Sequence, residues 1–224
     1  NATAGLSLGE YGALAAADVM DLKDLFYIIR KRGIFMQEAY PEGGAMTAVL
    51  GLESDRIEEI CRQTEGIVTI ANYNCPGQIV ITGEEQAVLA AAQACSEAGA
   101  KRCVPLKVSG PFHSALLKGA GEKLEKELIG VQLRKPAIPY ISNVDALDVV
   151  EAAPVKTLLK NQVSNSVCWQ QTIEKMIADG IDTFIEIGPG KSLSGFMKKI
   201  NKDVKCMNID KVADLEKVLE ELAC

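Results

Sequence analysis

Histidine occurs once in this chain of 224 residues, and that scarcity narrows its chemistry at the outset. One imidazole and seven scattered cysteines offer no cluster with the spacing of a zinc site, so no metal is expected. An odd number of cysteines without regular spacing also argues against a disulfide framework and for a reducing compartment, the cytoplasm. Cys61, Cys75, Cys95 and Cys103 lie in or beside apolar-patterned segments and read as small core residues. No stretch approaches the roughly 18 apolar residues of a membrane-spanning helix, so no membrane is expected as a partner. Positive charge is in deficit: Lys+Arg number 24 against 30 Asp+Glu, a net −6, which sets nucleic acid aside. Internal repeats, low-complexity runs and long linkers are missing as well. What the chain has in quantity is apolar residues, 48% of the total, enough for a sizeable core and more than one domain.

Near the start stands Gly5-Leu6-Ser7-Leu8-Gly9-Glu10, after a short Ala/Thr run and before an Ala-rich stretch. A serine between two glycines at a strand-to-helix junction is the pattern of a nucleophile elbow. There a sharp, strained turn exposes the hydroxyl and side chains on the flanking positions would collide. The N–H of Leu8 would then point at a developing oxyanion from the start of a helix. With 19 glycines in the chain, an ordinary Gly-rich turn with a capping serine fits the pentapeptide equally well.

A serine hydroxyl needs a base, and the one imidazole is His113, in Ser109-Gly110-Pro111-Phe112-His113-Ser114. An apolar-patterned strand delivers it into a turn beside an aromatic residue, a setting unlike that of a stray surface histidine. Serine before histidine is the chain order of α/β-hydrolase triads, although the intervening stretch offers no obvious acid. Together the two residues point to an enzyme.

Further motifs give the pair a family. Gly5-Leu6-Ser7-Leu8-Gly9-Glu10-Tyr11, Arg32-Gly33-Ile34-Phe35-Met36-Gln37, the run Asn72 to Gly83 and Gly110-Pro111-Phe112-His113-Ser114 occur in one order. Ile141-Ser142-Asn143-Val144, Gln162-Val163-Ser164-Asn165 with Trp169, and Glu186-Ile187-Gly188-Pro189-Gly190-Lys191 continue it. In that order they resemble the malonyl-CoA:acyl carrier protein transacylase family of bacterial fatty-acid synthesis, across nearly the whole chain.

The resemblance implies roles. Ser7 matches the nucleophile that becomes malonylated, and His113 matches its general base. Gln162 matches the glutamine whose main-chain carbonyl orients the histidine in place of a triad acid, which would fix the tautomer and leave Nε2 to accept from serine. Arg32 matches the arginine that pairs with the free malonyl carboxylate; alone, in Arg30-Lys31-Arg32, it would read as one cation on a solvated helix face. A guanidinium can hold that carboxylate through two parallel hydrogen bonds, and an acetyl group would leave it unpaired at a cost of about 3–5 kcal/mol. Phe112 fits members that take malonyl. The implied reaction passes malonyl from malonyl-CoA through a seryl ester to the phosphopantetheine thiol of acyl carrier protein, with no cofactor. Two alternatives use the same residues: a serine esterase or thioesterase with water as acceptor, and a non-catalytic domain that binds carrier protein. Because carrier proteins are acidic, a local basic patch would have to dock them; Lys191, Lys198, Lys199, Lys101, Arg102 and Lys107 could supply it.

Departures are few. Leu6 stands where many members have histidine, and Ser166 and Cys168 stand where proline and arginine are usual, which puts a local ion pair in doubt. Family members carry, before the elbow, a Gly-Gln-Gly-x-Gln stretch that supplies the second oxyanion N–H. This chain opens at Asn1, so it is expected to be the C-terminal portion of a transacylase, complete only with that segment.

The apolar pattern alternates strand and helix, which predicts an α/β fold with a mainly parallel sheet and helices on both faces, an α/β-hydrolase-like acyltransferase core. Residues 44–108 interrupt it with a β-α-β-β-α-β order: strands near 45–52, 67–72, 78–82 and 102–108, helices near 54–63 and 85–98. That order predicts an inserted ferredoxin-like subdomain, with residues 1–43 and 109–224 forming the large domain. Outside it, helices are expected at 10–17, 22–38, 116–128, 155–162, 170–178, 192–200 and 212–222, and strands at 2–5, 138–142, 183–187 and 204–208. Ser7, Asn143 and the Gly188 turn then fall at carboxyl ends of strands, where sites in such sheets lie.

Overall fold

The computed structural model describes residues 1–108 and 110–223; Ser109, which opens the His113 motif, lies outside them. The chain divides into two compact units, Asn1–Thr172 and Ile173–Cys224. The first runs β1 (Thr3–Ala4), α1 (Gly9–Ala16), α2 (Leu22–Ala39), β2 (Gly44–Leu50), α3 (Ser54–Gln63), β3 (Val68–Cys75), β4 (Gln78–Glu84), α4 (Glu85–Glu97) and β5 (Arg102–Pro105). A 3-10 turn (Ala115–Leu117), α5 (Lys118–Ile129), β6 (Tyr140–Ile141), β7 (Asp148–Val149), α6 (Val155–Gln162) and the start of α7 (Trp169–Ala178) follow. The second unit holds β8 (Thr183–Ile187), α8 (Ser192–Ile200), β9 (Lys205–Ile209) and α9 (Val212–Ala223).

Parallel pairing joins β1 to β6 and β8 to β9, while β7 pairs with β6 antiparallel. The largest sheet among the described residues is antiparallel throughout, in the order β3-β4-β2-β5. Pro76 and Gly77 (φ 68°) turn β3 into β4, the glycine supplying a left-handed conformation that most residues avoid. Two register shifts in β3 leave its outer backbone free to bond elsewhere. Tyr73 N donates to Val167 O at 3.0 Å and Val167 N to Ala71 O at 2.8 Å, so the stretch after α6 covers this sheet edge.

Several element bounds differ from expectation for local reasons. The strand expected over 102–108 ends at Pro105, beyond which one ladder bond remains, Leu106 N donating to Met46 O at 2.9 Å. The helix expected from 116 opens as the 3-10 turn and becomes α-helical at Lys118. The strand expected over 138–142 pairs at Tyr140 and Ile141 alone, and β7 was not foreseen.

Two large apolar cores lie in the first unit among the described residues, beside a small one of Met46, Ala71 and Val80 with Phe112 packed against it. One joins α1, α2, α5 and α6 around Tyr11, Leu14, Ile28, Leu124, Leu128, Tyr140 and Leu159. Its helices are amphipathic: α5 buries Ala120, Gly121, Leu124 and Leu128 along one stripe. A Cβ at Gly121 would press on the Lys160 carbonyl, so this glycine sets how closely α5 and α6 approach. The other core fills the space between the antiparallel sheet and α3 and α4, with Val49, Ile57, Ile70, Ile81 and Val88 at its centre.

In the second unit, Glu186 at the end of β8 turns back onto the start of α8. Its carboxylate accepts from Leu193 N at 3.0 Å, from Ser194 N at 2.8 Å and from the Ser194 hydroxyl. Lys191, Lys198 and Lys199 belong to this unit, and Lys101, Arg102 and Lys107 to the first. Among the described residues, no helix is long and apolar enough to cross a membrane.

Candidate active site

β1 ends at Ala4 and α1 begins at Gly9, so the chain must reverse within the four residues between them. Ser7 makes that turn with φ 53°, a left-handed conformation that costs a non-glycine residue about 1–3 kcal/mol. Asn143, in the loop after β6, holds it there. Its Oδ1 accepts from Ser7 N at 2.6 Å, and its Nδ2 donates to Gly5 O at 2.7 Å. The flanking glycines are not equivalent. A Cβ on Gly5 would overlap the Gly9 carbonyl and Glu10 N, whereas a Cβ on Gly9 would meet nothing. The expected steric need for glycine therefore holds at Gly5 and not at Gly9, because the helix start faces open space.

His113 is also left-handed, at φ 61°, and is buried. Its Nδ1 lies 2.8 Å from Gln162 O. A carbonyl only accepts, so Nδ1 carries the proton and Nε2 is the lone-pair nitrogen. Ser7 Oγ donates to that Nε2 at 2.7 Å. Burial, and secondarily the positive charge of Arg32, lower the imidazole to about 4, the carbonyl contacts opposing them in part. At neutral pH the ring is an uncharged base in contact with a hydroxyl.

Arg32 comes from α2 and is 7% exposed. It donates from Nη2 to Ser7 Oγ at 3.0 Å, and from Nε and Nη2 to Gln162 Oε1 at 3.2 and 3.0 Å. Its guanidinium lies over the Tyr11 ring, 5.7 Å from the centroid. Gln162, fully buried at the end of α6, thus meets His113 through its main chain and Arg32 through its side chain. Leu8 is exposed on the other side of the serine, and no acceptor among the described residues takes its N–H. Ser7 with its neighbour Leu8, Arg32, His113 and Gln162, four places far apart in the chain, therefore meet at one site. The Gly188 turn lies in the second unit.

Two residues in the network were given no role in the sequence reading. Asn143 falls in a family motif and at an expected strand end, with no role of its own. Glu10 falls in the elbow motif and at the expected start of a helix, with no role of its own, yet it is fully buried and accepts from Gln162 Nε2 at 2.7 Å. Its spacing of three residues from Ser7 across the start of a helix was the available signal. Where family members carry proline and arginine, Ser166 donates to Ile70 O, and Cys168 N donates to Asn143 O at 2.8 Å. Cys168 thus braces the elbow's own brace through its backbone.

The family model for the acyl transferase domain matches residues 1–215. A malonyl CoA-acyl carrier protein transacylase of Bacillus subtilis is 46% identical over 224 residues, covering 98% of this chain and 71% of that protein. One from Haemophilus influenzae is 44% identical, with the same coverage. Among solved structures, the malonyl CoA-acyl carrier protein transacylase of Clostridium perfringens superposes with a TM-score of 0.94 at 46% identity, covering 98% of this chain and 70% of that one. A malonyl-transacylase in complex with its type II PKS acyl-carrier protein gives 0.95 at 41%, covering 97% and 72%. With a serine, a neutral imidazole and a buried guanidinium meeting at one elbow, the chain belongs to the malonyl CoA-acyl carrier protein transacylase family of acyl transferase domains.

Proposed function

We propose that this chain transfers the malonyl group from malonyl-CoA to the phosphopantetheine thiol of acyl carrier protein, with Ser7 as nucleophile and His113 as base. The carrying observation is the chain of contacts from Ser7 Oγ to His113 Nε2 and from His113 Nδ1 to Gln162 O, at 2.7 and 2.8 Å. Ser7 Oγ attacks the thioester carbonyl as its proton passes to Nε2. The C–S bond breaks, and the imidazolium returns the proton to the coenzyme A thiolate. The carrier-protein thiol then attacks the malonyl-serine ester, giving its proton to the same nitrogen, and Ser7 Oγ recovers a proton as it leaves. The Gln162 carbonyl supports the imidazolium in both steps, though less than a buried carboxylate would.

Arg32 donates to Ser7 Oγ, which puts its guanidinium within reach of an acyl group carried there. A malonyl carboxylate would replace the hydroxyl as its acceptor; acetyl has no such group. Leu8 N–H, at the helix start and without another acceptor among the described residues, serves the oxyanion. The activity belongs to fatty-acid synthesis, and its setting is the cytoplasm.

We read the segment 44–108 as a ferredoxin-like subdomain inserted into an α/β-hydrolase-like core of residues 1–43 and 109–224. Its support is the antiparallel order β3-β4-β2-β5 with α3 and α4, and an apolar core drawn entirely from that segment. The other core draws on the flanking segments only.

Intact mass after incubation with malonyl-CoA, beside acetyl-CoA and a Ser7→Ala variant, tests the reading. The expected result is a malonyl-sized adduct, weak with acetyl-CoA and absent from the variant. No adduct, or one that survives in Ser7→Ala, would overturn it. Rapid release to water without carrier protein would mark a thioesterase instead.

A further inference from the structure

Burying a carboxylate is costly unless its surroundings compensate. Glu10 has no exposed surface, and no other Asp or Glu among the described residues is buried. Its Oε2 accepts from Gln162 Nε2 at 2.7 Å and, at 3.4 Å, from Asn143 N, while its Oε1 has no partner among the described residues. The other N–H of the same amide goes to Ser7 O at 3.0 Å, and its Oε1 faces two donors of Arg32.

The two ends of a glutamine amide have nearly the same shape and opposite chemistry. An ionised carboxylate only accepts and a guanidinium only donates. Glu10 at one end and Arg32 at the other therefore dictate which way Gln162 faces. Turned over, the amide would set oxygen against oxygen at Glu10 and donor against donor at Arg32. Arg32 has no ion-pair partner among the described residues; Gln162 is the link between its charge and that of Glu10.

We propose that Glu10 is a positioning residue acting through the Gln162 side chain, aligning Arg32 for the carboxylate of the acyl substrate and setting the net charge that this carboxylate meets. The proposal rests on the malonyl-transfer reading above. Burial raises the Glu10 carboxyl to about 7, the Gln162 and Asn143 hydrogen bonds and the Arg32 charge opposing it in part. The charged or titratable groups facing it are Arg32 from α2, Tyr11 from α1, Tyr140 from β6 and Asp145 from the loop after β6. His113 joins them through the shared Gln162. A second anion bound at Arg32 makes Glu10 hold its proton more tightly. Oε1 is open to carry that proton while Oε2 goes on accepting from Gln162, so charge changes and alignment does not.

The test is single-turnover acylation of Ser7 by malonyl-CoA and by acetyl-CoA, at subsaturating thioester, from about pH 6 to about pH 8. It compares the unsubstituted chain with Glu10→Gln and Glu10→Ala. The malonyl-to-acetyl ratio cancels titration of the coenzyme phosphates and of His113. It should rise several-fold as pH falls through the neutral range. Glu10→Gln keeps an oxygen for Gln162 but has no proton to gain, so it should hold the high ratio at every pH. Glu10→Ala should lose about tenfold or more of the ratio, which a merely structural defect, slowing both thioesters alike, would leave in place. A pH-independent ratio that Glu10→Gln leaves unchanged overturns the proposal, whether or not Glu10→Ala folds. Labelling of the unsubstituted chain by neither thioester overturns the transfer reading, and this one with it.

Discussion

Between β2 and β5 the buried side chains are Val49, Ile57, Ile70, Ile81, Val88 and their apolar neighbours, and the buried polar groups there are Thr47, Asn72, Asn74 and Thr82. Around α1, α2 and the His113 turn, Glu10, Arg32, His113, Asn143 and Gln162 are buried together. The first region contains no buried carboxylate, guanidinium or imidazole among the described residues; the second has one of each within a single hydrogen-bonded network. Both belong to the same compact unit. One invests in dry packing, which is cheap to stabilise and chemically inert. The other spends stability on desolvated charge and on two left-handed residues, Ser7 and His113.

If that division is right, substitutions should split cleanly between chemistry and stability. Ser7→Ala should abolish the malonyl adduct, and His113→Ala should slow its formation by about 10²–10⁴-fold, with little change in urea midpoint. Arg32→Ala should lower the preference for malonyl-CoA over acetyl-CoA by about 10²–10³-fold, read from paired acylation rates. Ile81→Ala, fully buried in the antiparallel region, should do the reverse. It should cost about 2–5 kcal/mol in denaturant unfolding and leave the malonyl preference of the remaining folded protein intact. A large shift of that preference in Ile81→Ala would break the comparison.

The smallest effect is the most discriminating. His113 sits at about 4 in the folded chain against an ordinary 6.5, so between those values the unfolded chain binds the extra proton and stability rises with pH. Glu10 sits at about 7 against an ordinary 4.5, so between those values the folded chain binds it and stability falls as pH rises. From about pH 4.5 to 6.5 the two slopes oppose and nearly cancel. Glu10→Gln should uncover the His113 slope, and urea unfolding across that range should then show stability rising with pH.

Sequence pattern revealed the two regions unequally. The β-α-β-β-α-β order was legible because alternating apolar residues and a Pro-Gly turn are local signals, and α3 falls where the pattern placed it. The pairings of β1 with β6 and β6 with β7 were not, since two-residue strands carry no period to read. Ser7 and His113 stood out through glycine spacing and scarcity. Gln162 and Arg32 required the family resemblance, because neither a backbone carbonyl nor one arginine among three cations announces its partner. Glu10 and Asn143 escaped because their importance lies in burial and in hydrogen bonds spanning well over a hundred residues.

The Gly188-Pro189-Gly190-Lys191-Ser192 run has the look of a loop that cradles phosphate at the head of a helix. In this fold the helix has already been answered from within: the Glu186 carboxylate occupies the amides of Leu193 and Ser194. A phosphate arriving there would meet a resident negative charge where it needs N–H groups, so the glycines mark a tight turn and not a nucleotide pocket.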